Sequence, residues 1–204
     1  MKFVKRVLIA FASIAVMAFA DTHAHSGHSV ALAGDSQAEI ESYTQAIKLK
    51  SDDAALYNSR ANAYRKRGDY ENAIADYDRA IKLKPSDAKL YGDRGIARAQ
   101  AGDYKKAIED FSASIKLDPK QTDVYNNRGF VYGYSGEHEK AIADFSASIG
   151  LDPKDGGAYN NRGIAYRDLG DLKKAEEDAA KACELGVCDL ARTMSLSVAS
   201  RKRR

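Results

Sequence analysis

Apolar and polar residues along this chain follow two superposed periods. Over short stretches the apolar positions fall three or four apart, the spacing that lines one face of a helix. In residues 104–117 this face is Tyr104, Ala107, Ile108, Phe111, Ile115 and Leu117. Over longer distances the whole arrangement returns every 34 residues, so that 54–87, 88–121, 122–155 and 156–189 align without a gap. A fixed period of this length marks a stacked helical array, in which each unit buries its apolar face against its neighbours. Punctuation falls at the same two places in each unit. Gly102-Asp103 splits its unit, since glycine permits a left-handed exit and aspartate caps the following helix. Asp118-Pro119 closes the second helix, because proline cannot continue it and restrains the residue before it. The pattern predicts helix, tight turn, helix in every unit, about ten helices in all, and no strands.

The flanks are less regular. Residues 35–53 are half a unit: Ile40, Tyr43, Ala46, Ile47 and Leu49 align with Ile74, Tyr77, Ala80, Ile81 and Leu83. They predict one amphipathic helix that caps the first full unit. In residues 190–204, Leu190, Met194 and Val198 are spaced by four, which predicts a short closing helix before the basic end Arg201–Arg204. That end reads as solvated, with contact to an anionic lipid surface as the alternative. Residues 1–20 read as a secretory signal: Lys2, Lys5 and Arg6 precede an apolar run from Val7 to Ala20 that ends in the small-x-small sequence Ala18-Phe19-Ala20. The run is shorter than the roughly 20 residues of a membrane span, so export to the periplasm or beyond is expected, with an uncleaved anchor as the alternative. A second cleavage site is Ala31-Leu32-Ala33.

Residues 21–34 hold His23, His25 and His28, three of the four histidines. Clustered imidazoles suit copper, nickel or zinc. Cleavage after Ala20 would leave Asp-Thr-His at the amino terminus, a motif for square-planar copper or nickel. The same residues also read as a degenerate first helix, with His23 under Tyr57, Gly27 under Ala61 and Gly34 under Gly68, or as a plain leader.

Charge narrows the partners. The formal net charge is +3, but the leader supplies Lys2, Lys5 and Arg6 with no acid, and four more basic residues form the tail. The body is therefore net acidic, and no broad basic face for nucleic acid follows. Nor is there a P-loop, GxSxG, HExxH or dinucleotide fingerprint, so no enzyme activity or cofactor is expected. His138 takes the place of Tyr70, Tyr104 and Leu172 in the other units and reads as a packing substitute.

One pairing pattern runs through every unit. Arg60, Arg94, Arg128 and Arg162 recur on the first helix, and Asp76, Asp110, Asp144 and Asp178 on the second. An arginine row could bind anions. The stronger reading is an Arg–Asp ladder within the array, because a partly buried guanidinium needs a carboxylate partner. The half unit has Ser42 in place of Asp and no Arg before it, which favours pairing within a unit. Cys183 and Cys188, with four residues between them, could form a disulfide if Gly186 curls the chain.

With Tyr125, Gly129, Tyr132, Ala141, Phe145 and Pro153 in place, and Ser148 where alanine is usual, the chain resembles the tetratricopeptide-repeat family over residues 35–189. The resemblance implies an all-α, right-handed superhelical solenoid of antiparallel helix pairs. Its small residues (Ala73, Ala107, Ala141, Ala175) would let paired helices approach closely, and Tyr57, Tyr91, Tyr125 and Tyr159 would fill the gaps between units. The fourth unit departs from the pattern, with Ala179 for the aromatic and Val187 for the proline. The resemblance further implies a protein-binding scaffold whose concave groove is lined by Asn58, Asn62, Arg65, Ile96, Asn126, Phe130, Tyr134, Asn160, Ile164 and Arg167. Ile96, Phe130 and Ile164 would form an apolar row for an extended peptide, or would pack adjacent first helices together. Some family members clamp a terminal carboxylate with two Lys, two Asn and an Arg. Here Asn62 matches, but Asn58, Asp93, Asp123 and Asn127 occupy the other places; one unit later only Asn127 matches, beside Gly92, Ile96, Gly157 and Asn161. Chaperone-tail recognition is therefore not expected. Metal handling by the histidines and self-association along the array are the alternative functions.

Overall fold

A computed structural model describes residues 29–194. The expected signal segment, His23, His25, His28 and the basic tail lie outside the described residues. Among the described residues nine helices follow one another: α1 Ser29–Leu49, α2 Ala54–Lys66, α3 Tyr70–Leu83, α4 Ala88–Gln100, α5 Tyr104–Leu117, α6 Thr122–Tyr134, α7 His138–Leu151, α8 Gly156–Asp168 and α9 Leu172–Glu184. A further helical segment occupies residues 189–194, and the described residues contain no strand. Helices α2–α9 pack as four consecutive pairs, and each second helix also packs on the first helix of the next unit. The result is an all-α superhelical solenoid.

Local sequence explains each reversal. Gly68, Gly102, Gly136 and Gly170 hold φ between +79° and +86°, the left-handed conformation that ends a helix without a Cβ penalty. The next residue then starts the second helix. Asp69, Asp103 and Asp171 accept hydrogen bonds from Asn72 N, Lys106 N and Lys174 N. Glu137 is one methylene longer and makes no such side-chain bond.

Within each pair the helices meet at Ala73, Ala107, Ala141 and Ala175, all with zero exposure. The aromatic position of the second helix then fills the space beside a small residue of the first. Phe111 lies so close to Gly95 that a Cβ there would be 2.7 Å from its ring. Phe145 and Gly129 repeat this at 3.0 Å. Tyr77, buried with Ala61, does so in the first unit.

The amino-terminal end differs from the aligned pattern. Gly34 aligns with Gly68, yet α1 runs helical through it from Ser29. Glu39 stands where the other units have the contact alanine, and it is exposed. Tyr43 and Ala46 are half-buried, whereas their counterparts Tyr77 and Ala80 have zero exposure.

At the other end, Ala179 leaves a gap beside Gly163. Leu190, from the segment after α9, fills it: a Cβ on Gly163 would be 2.6 Å from Leu190 Cδ2. Leu190 is 2% exposed, and its N–H donates to Asn160 Oδ1 at 3.1 Å. A disulfide joins Cys183 to Cys188 just before this segment, with the Cα atoms 4.2 Å apart.

Candidate functional site

The ladder residues meet in four equivalent forks. Arg60 donates to Asp76 through Nε and Nη2 at 2.7 and 2.8 Å. The same two atoms of Arg94 reach Asp110 at 2.9 and 2.6 Å. Arg128 reaches Asp144 at 2.8 and 2.7 Å, and Arg162 reaches Asp178 at 2.8 Å through both. Each pair lies within one unit. A third contact was not read from the sequence: Nη1 crosses to the preceding second helix, donating to Thr44 at 3.1 Å, Asp78 at 2.5 Å, Ser112 at 2.9 Å and Ser146 at 3.0 Å. The signal was present, since a short polar residue stands two places after Ser42, Asp76, Asp110 and Asp144; after Asp178 the place holds Ala180, and no further first helix follows it among the described residues. Each arginine thus ties three helices together.

Aromatic faces complete the setting. Arg60 lies between Tyr57 and Tyr64, Arg128 between Tyr125 and Tyr132, and Arg162 between Tyr159 and Tyr166, at 5.5 to 5.9 Å from the ring centres. In the second unit Arg98 replaces the second tyrosine and donates to Asp110 at 2.9 Å, so this carboxylate holds two guanidiniums. Donating to Asp144 raises the Arg128 pKa above its ordinary value, outweighing burial, and donating to Asp178 does the same for Arg162. These guanidiniums remain charged and have their bidentate edges occupied. They offer no open fork to an outside anion.

The groove residues differ more among themselves. Asn62 accepts from Tyr77 Oη at 3.0 Å and donates to Asn58 O at 3.1 Å, so its side chain is largely engaged. Arg65 is half-buried, with Nη2 at 3.5 Å from Asn62 Oδ1. Asn126 donates to Asp155 Oδ2 at 2.7 Å, and Asp155 caps α8. Asn160 is buried under Leu190 and spent on its N–H, so the cap closes this position. Arg167 donates twice to its neighbour Asp168, at 3.0 and 2.9 Å. Ile96 packs on the core of Phe111, Val124 and Val131, and Phe130 on Ala141, Phe145 and Ala165. Both remain half-buried, as does Ile164. The apolar row therefore joins neighbouring units on one side and keeps an open side. Tyr134 is 47% exposed, with its ring 4.9 Å from that of Tyr104.

Among the described residues, five buried side-chain atoms lack a hydrogen-bond partner: Asn58 Oδ1, Arg65 Nε, Asn126 Oδ1, Gln100 Oε1 and His138 Nδ1. Three belong to the groove set. Gln100 and His138 were not read as site residues, because a lone amide or imidazole in a packing position gives no pattern to detect. No cluster of three or more His, Cys, Asp or Glu among the described residues could hold a metal ion. No described helix is long and apolar enough to cross a membrane.

Comparison with known proteins agrees with this geometry. Four tetratricopeptide-repeat profiles match residues 33–88, 61–128, 122–155 and 156–185. No curated protein sequence matches the chain. Among solved structures, a crystal structure of MamA aligns with a TM-score of 0.71 at 26% identity, covering 80% of this chain and 96% of that one. MamA from Desulfovibrio magneticus RS-1 aligns at 0.69 with 21% identity, over 80% and 97%. The first repeat domain of Spaghetti (RPAP3), solved with the HSP90 peptide SRMEEVD, aligns at 0.56 with 24% identity, over 57% and 93%. The period, the paired helices, the ladder setting and the four contiguous matches together assign the chain to the tetratricopeptide-repeat family.

Proposed function

We propose that the chain is a non-catalytic scaffold that holds an extended segment of another protein in its concave groove. The observation that carries this reading is the set of unpaired atoms at Asn58, Arg65 and Asn126. A buried polar atom without a partner costs about 1–3 kcal/mol, and native proteins leave few of them. The three side chains are half-buried, so rotation can turn these atoms toward the groove. Two amide oxygens would then accept from peptide N–H groups and Arg65 would donate to a peptide carbonyl or carboxylate. Phe130 and Tyr134 supply apolar and aromatic surface beside them. The fold by itself implies protein binding only by analogy.

The test is panning a random peptide library on residues 29–204, then measuring selected peptides against variants. Phe130→Ala, Tyr134→Ala and Asn126→Ala are each expected to weaken binding about tenfold, or 1.4 kcal/mol, with little change in melting. Normal binding by all three, together with loss on deleting Arg201–Arg204, would move the site to the tail. A free acidic C-terminal peptide is not expected to bind in the micromolar range, because Asn58, Asp123 and Asn127 stand where a carboxylate clamp needs Lys, Lys and Arg. Micromolar binding that disappears on amidation of that peptide would contradict this.

The reading places the scaffold in the cell envelope or outside the cell. Its supports are the apolar run before residue 21 and the disulfide, which persists in oxidising compartments. Intact mass of the mature protein tests it: a start at Asp21 or Gly34 is expected, and a retained Met1 would argue for an anchor.

A further inference from the structure

We propose that the Cys183–Cys188 disulfide is a redox latch on the segment that completes the fourth repeat. The first three repeats fill the space beside the first helix with their own aromatic: Tyr77, Phe111 or Phe145. The fourth has Ala179 there, and its filler is Leu190, from outside the 34-residue unit. Leu190 is seated by two contacts: its side chain against Gly163, and its N–H on Asn160 Oδ1. The chain from α9 to Leu190 is only a few residues long, and the disulfide closes most of it into a ring. Cys188 stands two residues before Leu190, and its carbonyl accepts the Arg192 N–H at 3.0 Å, the first turn of the closing segment. The position of Cys188 thus sets where this lid begins.

The turn at the end of α9 has its own bonds. Gly186 N donates to Cys183 O at 3.0 Å and Val187 N to Ala182 O at 2.8 Å, and Gly186 takes φ +93°. These do not depend on the sulfur bridge. What the bridge adds is a tether between that turn and residue 188. Both cysteines are half-buried, not sealed, so a dithiol can reach them. A thiolate of the external dithiol attacks one sulfur and breaks the bridge, giving a mixed disulfide. Its second thiolate then resolves that bond. Two electrons and two protons pass to the protein, leaving thiols at Cys183 and Cys188, and the reductant becomes a disulfide. Without the tether, Leu190 and residues 191–194 leave their seat more often. Asn160 Oδ1 and the socket beside Gly163 are then uncovered at the end of the groove. Exposure of Asn160 matters to a ligand only on the groove reading above, but the latch itself is tested without any ligand.

The experiment is hydrogen exchange on the full chain as purified, oxidised and after reduction with tris(2-carboxyethyl)phosphine. On reduction, the Leu190 amide and those of 191–194 are expected to exchange at least about tenfold faster, with α2–α7 within about twofold of their oxidised rates. Cys183→Ser/Cys188→Ser without reductant is expected to match the reduced wild type. Leu190→Ala, kept oxidised, is expected to speed exchange in 191–194 alone. An unchanged Leu190 amide on reduction would overturn the latch. So would uniform acceleration from α2 to α9, because the bridge would then support the whole array and not its lid.

Discussion

Residues 122–155 and 156–189 share a backbone, a ladder and a turn, yet they close their cores differently. In the third repeat Phe145 covers Gly129, and both residues lie within the unit. In the fourth, the same place on the second helix is Ala179, and Leu190 reaches back from the following segment to cover Gly163. An interior unit has a neighbour on each side and carries its own filler. After the fourth unit the described residues hold one short segment, and its Leu190 fills the gap beside Gly163. Repeat arrays need polar or capped ends for solubility. Among the described residues, α1 packs on α2 of the first full unit, and the segment that carries Leu190 packs on the fourth.

The largest effects should come from the two fillers. Phe145→Ala is expected to cost about 3–5 kcal/mol and Leu190→Ala about 2–5 kcal/mol in denaturant unfolding. The first should loosen α6 to α8 and the second only the end of the array. A double-mutant cycle sharpens the contrast. Ala179→Phe alone should overpack against Leu190 and cost about 1–3 kcal/mol. In the Leu190→Ala background it should restore stability, since the ring then occupies the vacated space. Equal damage in both backgrounds would mean that Leu190 is not the substitute for the missing aromatic.

The same position in the first repeat is Tyr77, fully buried, and burial pushes its hydroxyl up to about 12, with the charge of Asp93 adding to the shift. The ordinary value is 10.0, so the folded state holds this proton more tightly than the unfolded one. The stabilising contribution is therefore complete below pH 10 and is lost as pH rises toward 12. That difference corresponds to about 3 kcal/mol. Wild type should lose more stability than Tyr77→Phe over that window, while Phe111 and Phe145 give their repeats no such dependence. Parallel pH profiles for the two proteins would refute the assignment.

Next come the ladder variants, where the third and fourth repeats should agree. Arg128→Ala and Arg162→Ala each leave a buried carboxylate unpaired, at about 1–3 kcal/mol. Asp110→Asn should exceed Asp144→Asn, because Asp110 holds both Arg94 and Arg98. Unchanged melting of Arg128→Ala with lost peptide binding would instead favour an anion-binding role for the row.

What the sequence made legible follows the same division. Helix order, the turns at glycine, the alanine contacts and the Arg–Asp partners all recur at one spacing, and recurrence identifies a position without coordinates. The cross-helix contacts of Thr44, Asp78, Ser112 and Ser146 recur too, but three residue types share that role and hid it. Leu190 was legible as part of a closing helix and not as the filler for Gly163, because its contact has no counterpart in any other repeat. The run of α1 through Gly34 was not legible, because the aligned glycines of the four full units all end a helix and this one does not. In the groove the sequence named first-helix residues that the structure leaves half-buried or exposed, Asn160 excepted. It could not tell that Asn160 would be covered by the lid, or that Arg167 would turn to Asp168.

The smallest effect separates packed from unpacked glycines. A methyl on Gly129 would meet Phe145 at 3.0 Å and Asp144 Cβ at 3.1 Å, in a closed site, so Gly129→Ala should destabilise. On Gly163 it would meet the end of Leu190 at 2.6 Å, Asp178 Cβ at 3.1 Å and Ala175 O at 3.3 Å, so Gly163→Ala should displace the lid and strain the α8–α9 pair while leaving α2–α7 alone. Gly150, in the last turn of α7, has nothing within 4 Å of a built Cβ and has no positive φ. It also departs from the pattern, since Lys48, Lys82 and Lys116 occupy its place in the preceding units. Glycine in a helix costs about 0.5–1 kcal/mol relative to alanine, through the backbone freedom it retains when unfolded. Gly150→Ala should therefore stabilise the protein by up to about 1 kcal/mol, less if the last turn frays. Gly150→Lys should do about as well, since a cation near a helix C-terminus adds roughly 0.3–1 kcal/mol to offset the poorer propensity. Chemical denaturation of both variants at low salt is the measurement. If either destabilises the array, position 150 is not the free helical site its surroundings indicate, and the third repeat is less self-contained than its core implies.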